Sequence, residues 1–244
     1  MLTTITVITT MIMGTDDPTP RDGFLKLLVW LSPSFPIGAF SYSHGIEWAV
    51  EAGDIMDRAS LEAWLAGIML HGTGLADAII LRHAHTMTIA RDGPGLAAVA
   101  ELASAFQPSR ERALESYNQG RAFLDTVVAA WPAPGVEYFR TVWDGVVAYP
   151  LAVGVAAAGH EIDANQTCLA YLHAFLANLV SAAVRLVPLG QTDGQRVVAA
   201  MADVVRRIAQ RSDTMSLDDL GGCALRSDIA SMRHETQYTR LFRS

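Results

Sequence analysis

The chain has 244 residues, 51% of them hydrophobic and only 18% charged, with a formal net charge of -7. That is long and apolar enough for a full core and excludes a disordered chain; a large subunit contact is one way to use the surplus apolar surface. The acidic balance argues against nucleic-acid binding, which needs Lys and Arg to replace phosphate counterions, and two cysteines support neither a disulfide framework nor a four-cysteine zinc site, so a cytoplasmic, reducing setting is expected.

Residues Met1 to Gly14 are rich in Thr, Ile and Met, and no Lys or Arg precedes Arg21, so the basic start of a secretory signal is missing. Residues 1–22 are read as a disordered leader and 23–244 as one domain. A helical pattern ends at Leu31 and gives way to LSPSFPIGAFSYSHGIE, Leu31 to Glu47. Pro33, Pro36 and Gly38 bias this run away from helix, and a connection so constrained presents Phe40, Tyr42 and His44 as a candidate site. Helical spacing resumes at Ile46 and Val50.

Leu61, Trp64, Leu65, Ile68 and Met69 form an amphipathic stripe with Asp57 and Ser60 as candidate N-caps, and Ala76, Ile80, His83 and Met87 continue on a second helix. Leu114, Tyr117, Arg121, Leu124, Val128 and Trp131 mark a long bundle helix opened by Ser109 and stopped at Pro132. From Val142 to Ala158 the chain is small and apolar, and Pro150 is expected to interrupt or kink a helix there. Leu169, Leu172, Leu176, Val180, Ala183 and Val187 give the widest apolar stripe, so that helix is central or lies in a subunit interface; the charge-free stretch Cys168 to Val184 reads as a buried helix rather than a bilayer span. Pro188 and Gly190 end it, Val197 to Ile208 is helical again, and Ser227 or Asp228 is expected to cap a last helix from about Ile229 to Leu241. Without strand-type alternation outside the leader, the fold class is all-α, a single-domain multi-helix bundle.

Catalytic motifs are missing. Lys26 is the sole lysine and follows Phe24 and Leu25, so there is no P-loop, and its amphipathic helix makes it a solvated charge; no GxSxG elbow occurs, and the side chains of adjacent Ser43 and His44 diverge. His83 and His85 stand about 200° apart on a helix and do not converge on one ion, so no metal site or cofactor is expected. The C-terminal run SDIASMRHETQYTRLFRS is basic in an acidic chain. Its aromatics and arginines are the types that dominate interface hot spots, so residues 226–244 read as a docking tail against the alternative of a frayed, solvated end.

The motifs FPIGAFSYSHGIE, VPLGQTDGQ and SDIASMRHETQYTRLF, in this order, resemble the urease accessory UreF family from about Leu25 to Ser244. The resemblance implies a cytoplasmic, all-helical homodimer without enzymatic turnover, a scaffold that links a UreG-type GTPase and a UreD/UreH-type partner to apo-urease during nickel delivery. Carried over by position, Phe40, Tyr42, His44 and Glu47 of the loop and Arg233, His234, Tyr238 and Arg240 of the tail are the expected partner-binding residues, with Phe40 and Arg240 facing the GTPase. Leu172, Leu176 and Val180 are the expected dimer contact, with core packing the alternative. Beside the adaptor stand two other mechanisms: a GTPase regulator acting through Arg240, and a nickel-binding metallochaperone.

Overall fold

A computed structural model describes residues 20–243; the leader lies outside the described residues apart from its last three positions. Twelve α-helices and two short 3-10 turns make up the described chain, with no strand among them. The first helix, α1 (Pro20–Trp30), leads into the irregular connection and the short α2 (Ile46–Glu51); α3 (Arg58–His71), α4 (Thr73–Ala90), α5 (Gly93–Ala105), α6 (Arg110–Ala130) and α7 (Pro134–Val142) follow. Then come α8 (Tyr149–Gly159), α9 (Ala164–Leu186), α10 (Gln191–Ala200), α11 (Ala202–Ser212) and α12 (Leu225–His234).

At the centre stands α8, with every residue from Pro150 to Ala158 buried. Its small side chains let neighbours approach to backbone contact: a Cβ at Gly154 would lie 2.4 Å from the Leu81 carbonyl oxygen on α4. Pro150 does not interrupt this helix. It occupies the first turn, where its missing N–H is one that lacks an intrahelical partner anyway, and the helix begins at Tyr149 instead of running on from α7. On the flank, Trp30 makes edge contacts with Phe123, Trp131 and His160. Lys26 is not simply solvated: its ammonium donates to His160 Nδ1 at 3.1 Å, and His160 Nε2 donates to the Trp131 carbonyl at 2.9 Å.

The expected caps of α3 and α6 form, whereas α12 opens after Ala224 with no side-chain cap, upstream of Ser227 and Asp228. Asp57 and Ser60 make a capping box at α3, and Ser109 accepts from the Arg112 amide at 3.2 Å to open α6. Two helix limits differ from expectation. The stretch Val197 to Ile208 is broken at Met201 into α10 and α11, and the last helix starts at Leu225 and stops at His234, leaving residues 235–243 as an extended strap.

The buried face of α6 also departs from its apolar stripe. It is made of Glu111, Arg112, Glu115, Ser116, Gln119, Gly120, Phe123, Leu124 and Val127, while Leu114 points outward at 49% exposure. A polar inner face on a helix is tolerated only where its groups find partners: Glu111 and Glu115 meet the tail and the loop, Arg112 and Gln119 bond to Glu115 within α6, and Ser116 accepts from the Tyr149 amide.

Candidate functional site: a loop and tail joined by buried charge

The connection between α1 and α2 is held at both ends. Phe35 is buried against Phe123 and Trp131, and the turns at Gly38 (φ 71°), His44 (φ 60°) and Gly45 (φ 78°) use left-handed backbone. Gly45 is required on two counts, since a Cβ there would also stand 2.7 Å from the Ser231 amide nitrogen of α12. Loop and tail therefore touch at their backbones. Ser109 and Ser231 join through their hydroxyls, closing α6 onto α12.

The junction is ionic and largely buried. His234, fully buried, lies between two carboxylates: its Nδ1 is 2.7 Å from Glu111 Oε2 and its Nε2 3.0 Å from Glu47 Oε2. Arg240 donates to Glu111 Oε1 at 2.8 Å, and the Leu241 and Phe242 amides donate to Glu47 Oε1 and Oε2 at 2.7 and 3.0 Å. Burying two carboxylates is tolerated when cations and amide donors satisfy their oxygens, as these do. Beyond them the Arg243 amide donates to the Ser41 carbonyl at 2.8 Å, and Arg185 of α9 stacks on the Phe242 ring while donating to the Phe40 carbonyl at 2.9 Å.

Next to Glu111 on α6, Arg112 pairs with Glu115 one turn on, and the pair faces His44 and Asp77. Burial, and next the Arg112 charge, hold His44 well below its usual range, at about 4, so the ring is neutral near pH 7 and donates or accepts at Thr73 Oγ over 3.2 Å. Burial pushes Asp77 up to about 7, although the Tyr171 hydroxyl donates to it at 2.6 Å. Asp77, Arg112, Glu115 and Tyr171 line a cleft of about 490 Å³ between the loop and α9, together with Leu28, Leu31, Phe40 and Phe175.

The eight expected partner-binding residues fall into two groups. Phe40 (68% exposed), Tyr238 and Arg233 face solvent. Tyr42, His44, Glu47 and His234 do not; each is buried and bonded within the chain, so these four position the surface and do not form it. Arg240 is exposed, its side chain 39% accessible, yet paired with Glu111. Leu172, Leu176 and Val180 are likewise placed in the core of this single chain, which leaves them no surface for a second copy. The exposed apolar surface lies elsewhere: Phe24, Leu25, Leu28 and Val29 along α1, and Leu225, Ile229 and Met232 at i, i+4, i+7 on the outer side of α12. Sequence reasoning missed Glu111, Arg112, Glu115, Arg185 and Phe242; the signal was a polar stripe at positions 111, 112, 115 and 119 on a helix otherwise read by its apolar residues.

His83 and His85 donate to different backbone carbonyls, those of Met215 and Ile162, and do not converge. Among the described residues no group of three or more His, Cys, Asp and Glu side chains is arranged to hold a metal ion. The stretch Arg58–Ala90 and α9 are long and apolar enough to cross a membrane, and 67% and 50% of their apolar windows are buried inside the protein.

A sequence model of the UreF family matches residues 55–202. The chain belongs to the UreF family. Relatives named urease accessory protein UreF include those of Methylobacterium sp. (strain 4-46), 54% identical over 220 residues, 90% of this chain and 88% of the relative. That of Rhodopseudomonas palustris (strain BisB18) is 52% identical over 221 residues, 90% of this chain and 91% of the relative. That of Bradyrhizobium sp. (strain ORS 278) is 54% identical over 219 residues, again 90% and 91%. UreF-family proteins are accessory proteins and not enzymes, which bears out the reading of the chain as non-catalytic and its resemblance to that family.

Proposed function

We propose that the chain acts in urease maturation as a non-catalytic, cytoplasmic adaptor, a homodimer that brings a UreG-type GTPase and a UreD/UreH-type partner to apo-urease so that nickel, the cargo, reaches its acceptor. The observation that carries this reading is that one rigid junction displays two separate outward surfaces. Phe40 and the cleft beside it lie on one, and the α12 stripe with Tyr238 on the other. Large apolar and aromatic side chains held outward by buried ionic supports are what a protein-binding surface needs, because little ordering cost is left for the binding step.

The adaptor reading is favoured over the regulator by the state of Arg240. A finger arginine must be free to reach phosphoryl oxygens, whereas this guanidinium is committed to Glu111. For the homodimer contact we propose the outward face of α1, where Phe24, Leu25, Leu28 and Val29 are 46 to 58% exposed; side chains of this size rarely stay in contiguous exposed patches unless something covers them. The test is co-purification with both partners followed by activation of apo-urease, comparing the wild-type chain with Phe40→Ala. Loss of complex and activation with the helical circular dichroism intact supports the adaptor; a Phe40→Ala chain that binds and activates normally overturns this assignment.

A further inference from the structure

We propose that the cleft beside Phe40 is an amide pocket, taking a neutral side-chain amide on an apolar stem: a glutamine that a protein partner inserts together with apolar neighbours. The proposal deepens the adaptor reading and rests on it for the protein nature of the occupant. Arg112 lines this cleft although its side chain is only 5% exposed. A guanidinium donates from all three of its nitrogens. Among the described residues Arg112 makes one such bond, from Nη1 to Glu115, and Nε is buried with no partner. Asp77 on α4 lines the same cleft; its Oδ2 accepts from the Tyr171 hydroxyl at 2.6 Å, and its Oδ1 accepts from none of the described residues. Unused donors and an unused acceptor therefore border one space, and a ligand that satisfies both removes the cost of leaving buried polar groups unpaired. A primary amide does so, because its oxygen accepts and its NH2 donates.

Charge decides against an anion. Arg112 is already paired with Glu115, so with Asp77 ionised the three side chains sum to -1 and with Asp77 protonated to zero; neither state attracts a carboxylate. An amide answers both, its NH2 donating to the carboxylate or its oxygen accepting from the carboxyl O–H.

The apolar lining decides for a polypeptide. Leu28 and Phe40, which line the cleft, are 55% and 68% exposed, and Leu31, Ile37 and Phe175 line it as well. A free small amide would leave Leu28 and Phe40 uncovered. A chain that carries apolar side chains on both sides of its glutamine covers them while seating the amide, and about 490 Å³ holds that side chain with parts of its neighbours.

NMR titration of the full chain tests this with three N-acetylated tripeptide N-methylamides, Leu-Gln-Phe, Leu-Glu-Phe and Leu-Met-Phe, which share apolar flanks and differ in the group offered to Arg112, and with butyramide as the free amide. The glutamine probe is expected to shift the Arg112 side-chain N–H resonances and to bind about tenfold tighter than the other two, the factor that one hydrogen bond to a charged group is worth. Arg112→Lys should erase the preference for glutamine. Should that variant not fold, Ala174→Phe, which fills the cleft from α9 and leaves Phe40 in place, should abolish the shifts. Equal binding of the three probes, tighter binding of the glutamate probe, no shift at Arg112, or butyramide binding as tightly as the glutamine probe overturns the pocket. Co-purification with both partners separates this result from the adaptor reading. Loss of the complex with Phe40→Ala but not with Ala174→Phe keeps the adaptor and overturns the pocket; loss with both, each variant retaining its helical circular dichroism, supports both; an unchanged complex with both variants overturns both.

Discussion

The Arg185 guanidinium lies 4.4 Å from the centroid of the Phe242 ring, so a helix from the middle of the chain grips the third residue from its end. The same guanidinium donates to the Phe40 carbonyl, which means one side chain supports both the exposed aromatic of the loop and the buried aromatic of the strap. Arg185→Ala should therefore loosen the strap without unfolding the bundle. A stacked cation of this kind is worth about 0.5–2 kcal/mol, and faster exchange at Phe242 and Arg243 with a nearly unchanged melting temperature is the expected readout.

Gly45→Ala should be far more disruptive than its surroundings suggest. It asks an L-residue to adopt φ 78° and puts a methyl 2.7 Å from the Ser231 nitrogen. The backbone term alone costs about 1 kcal/mol, and the collision must be relieved by moving α12. Denaturant unfolding together with loss of strap protection measures both effects.

The proposed dimer contact can be tested separately from the core. Leu28→Glu places a charge in the exposed α1 face and should yield a folded monomer by light scattering on size exclusion, whereas Leu172→Ala should cost about 2–5 kcal/mol in stability through a buried cavity and leave the subunit count of the folded protein unchanged. A Leu28→Glu chain that still dimerises would reassign the contact.

Stability should depend on pH through two buried groups with opposite signs. Asp77 rises from 3.8 to about 7 in the folded chain, so the native state binds the extra proton and stability falls as pH rises between those values. His44 drops from 6.5 to about 4, so stability rises with pH between about 4 and 6.5. Asp77→Asn keeps an acceptor for Tyr171 and removes the falling limb. At pH 8 the variant should gain on the wild-type chain, relative to pH 4, by up to roughly 4 kcal/mol in urea titrations.

How much of this was legible follows from where each signal resides. The helices α3 and α9 were readable because their apolar residues repeat without interruption, and the caps at Asp57 and Ser109 because a short acceptor sits just ahead of the repeat. The Phe40 loop stood out because proline and glycine leave a local trace. The ionic junction did not, since Glu111, Arg112 and Glu115 look in one dimension like a solvated helix face and become buried only when distant residues arrive, His234 and Arg240 at Glu111 and His44 at Glu115. The end of α12 was misplaced for the same reason. Helical spacing continues past His234, but Glu47 draws the Leu241 and Phe242 amides out of any helix, and only the tertiary structure reveals that competitor. The dimer residues were misassigned because an apolar stripe does not say which of two hydrophobic environments it enters.

The burial of Phe242 and the bond from the Arg243 amide to Ser41 have a practical consequence for anyone who produces this protein. Because Arg243 is tied to Ser41, anything fused beyond it sets out from the loop that carries Phe40. An affinity tag or fluorescent fusion at that end is thus steered over the loop proposed to recruit partners, and pull-downs with such fusions should under-report the complexes formed by the untagged chain.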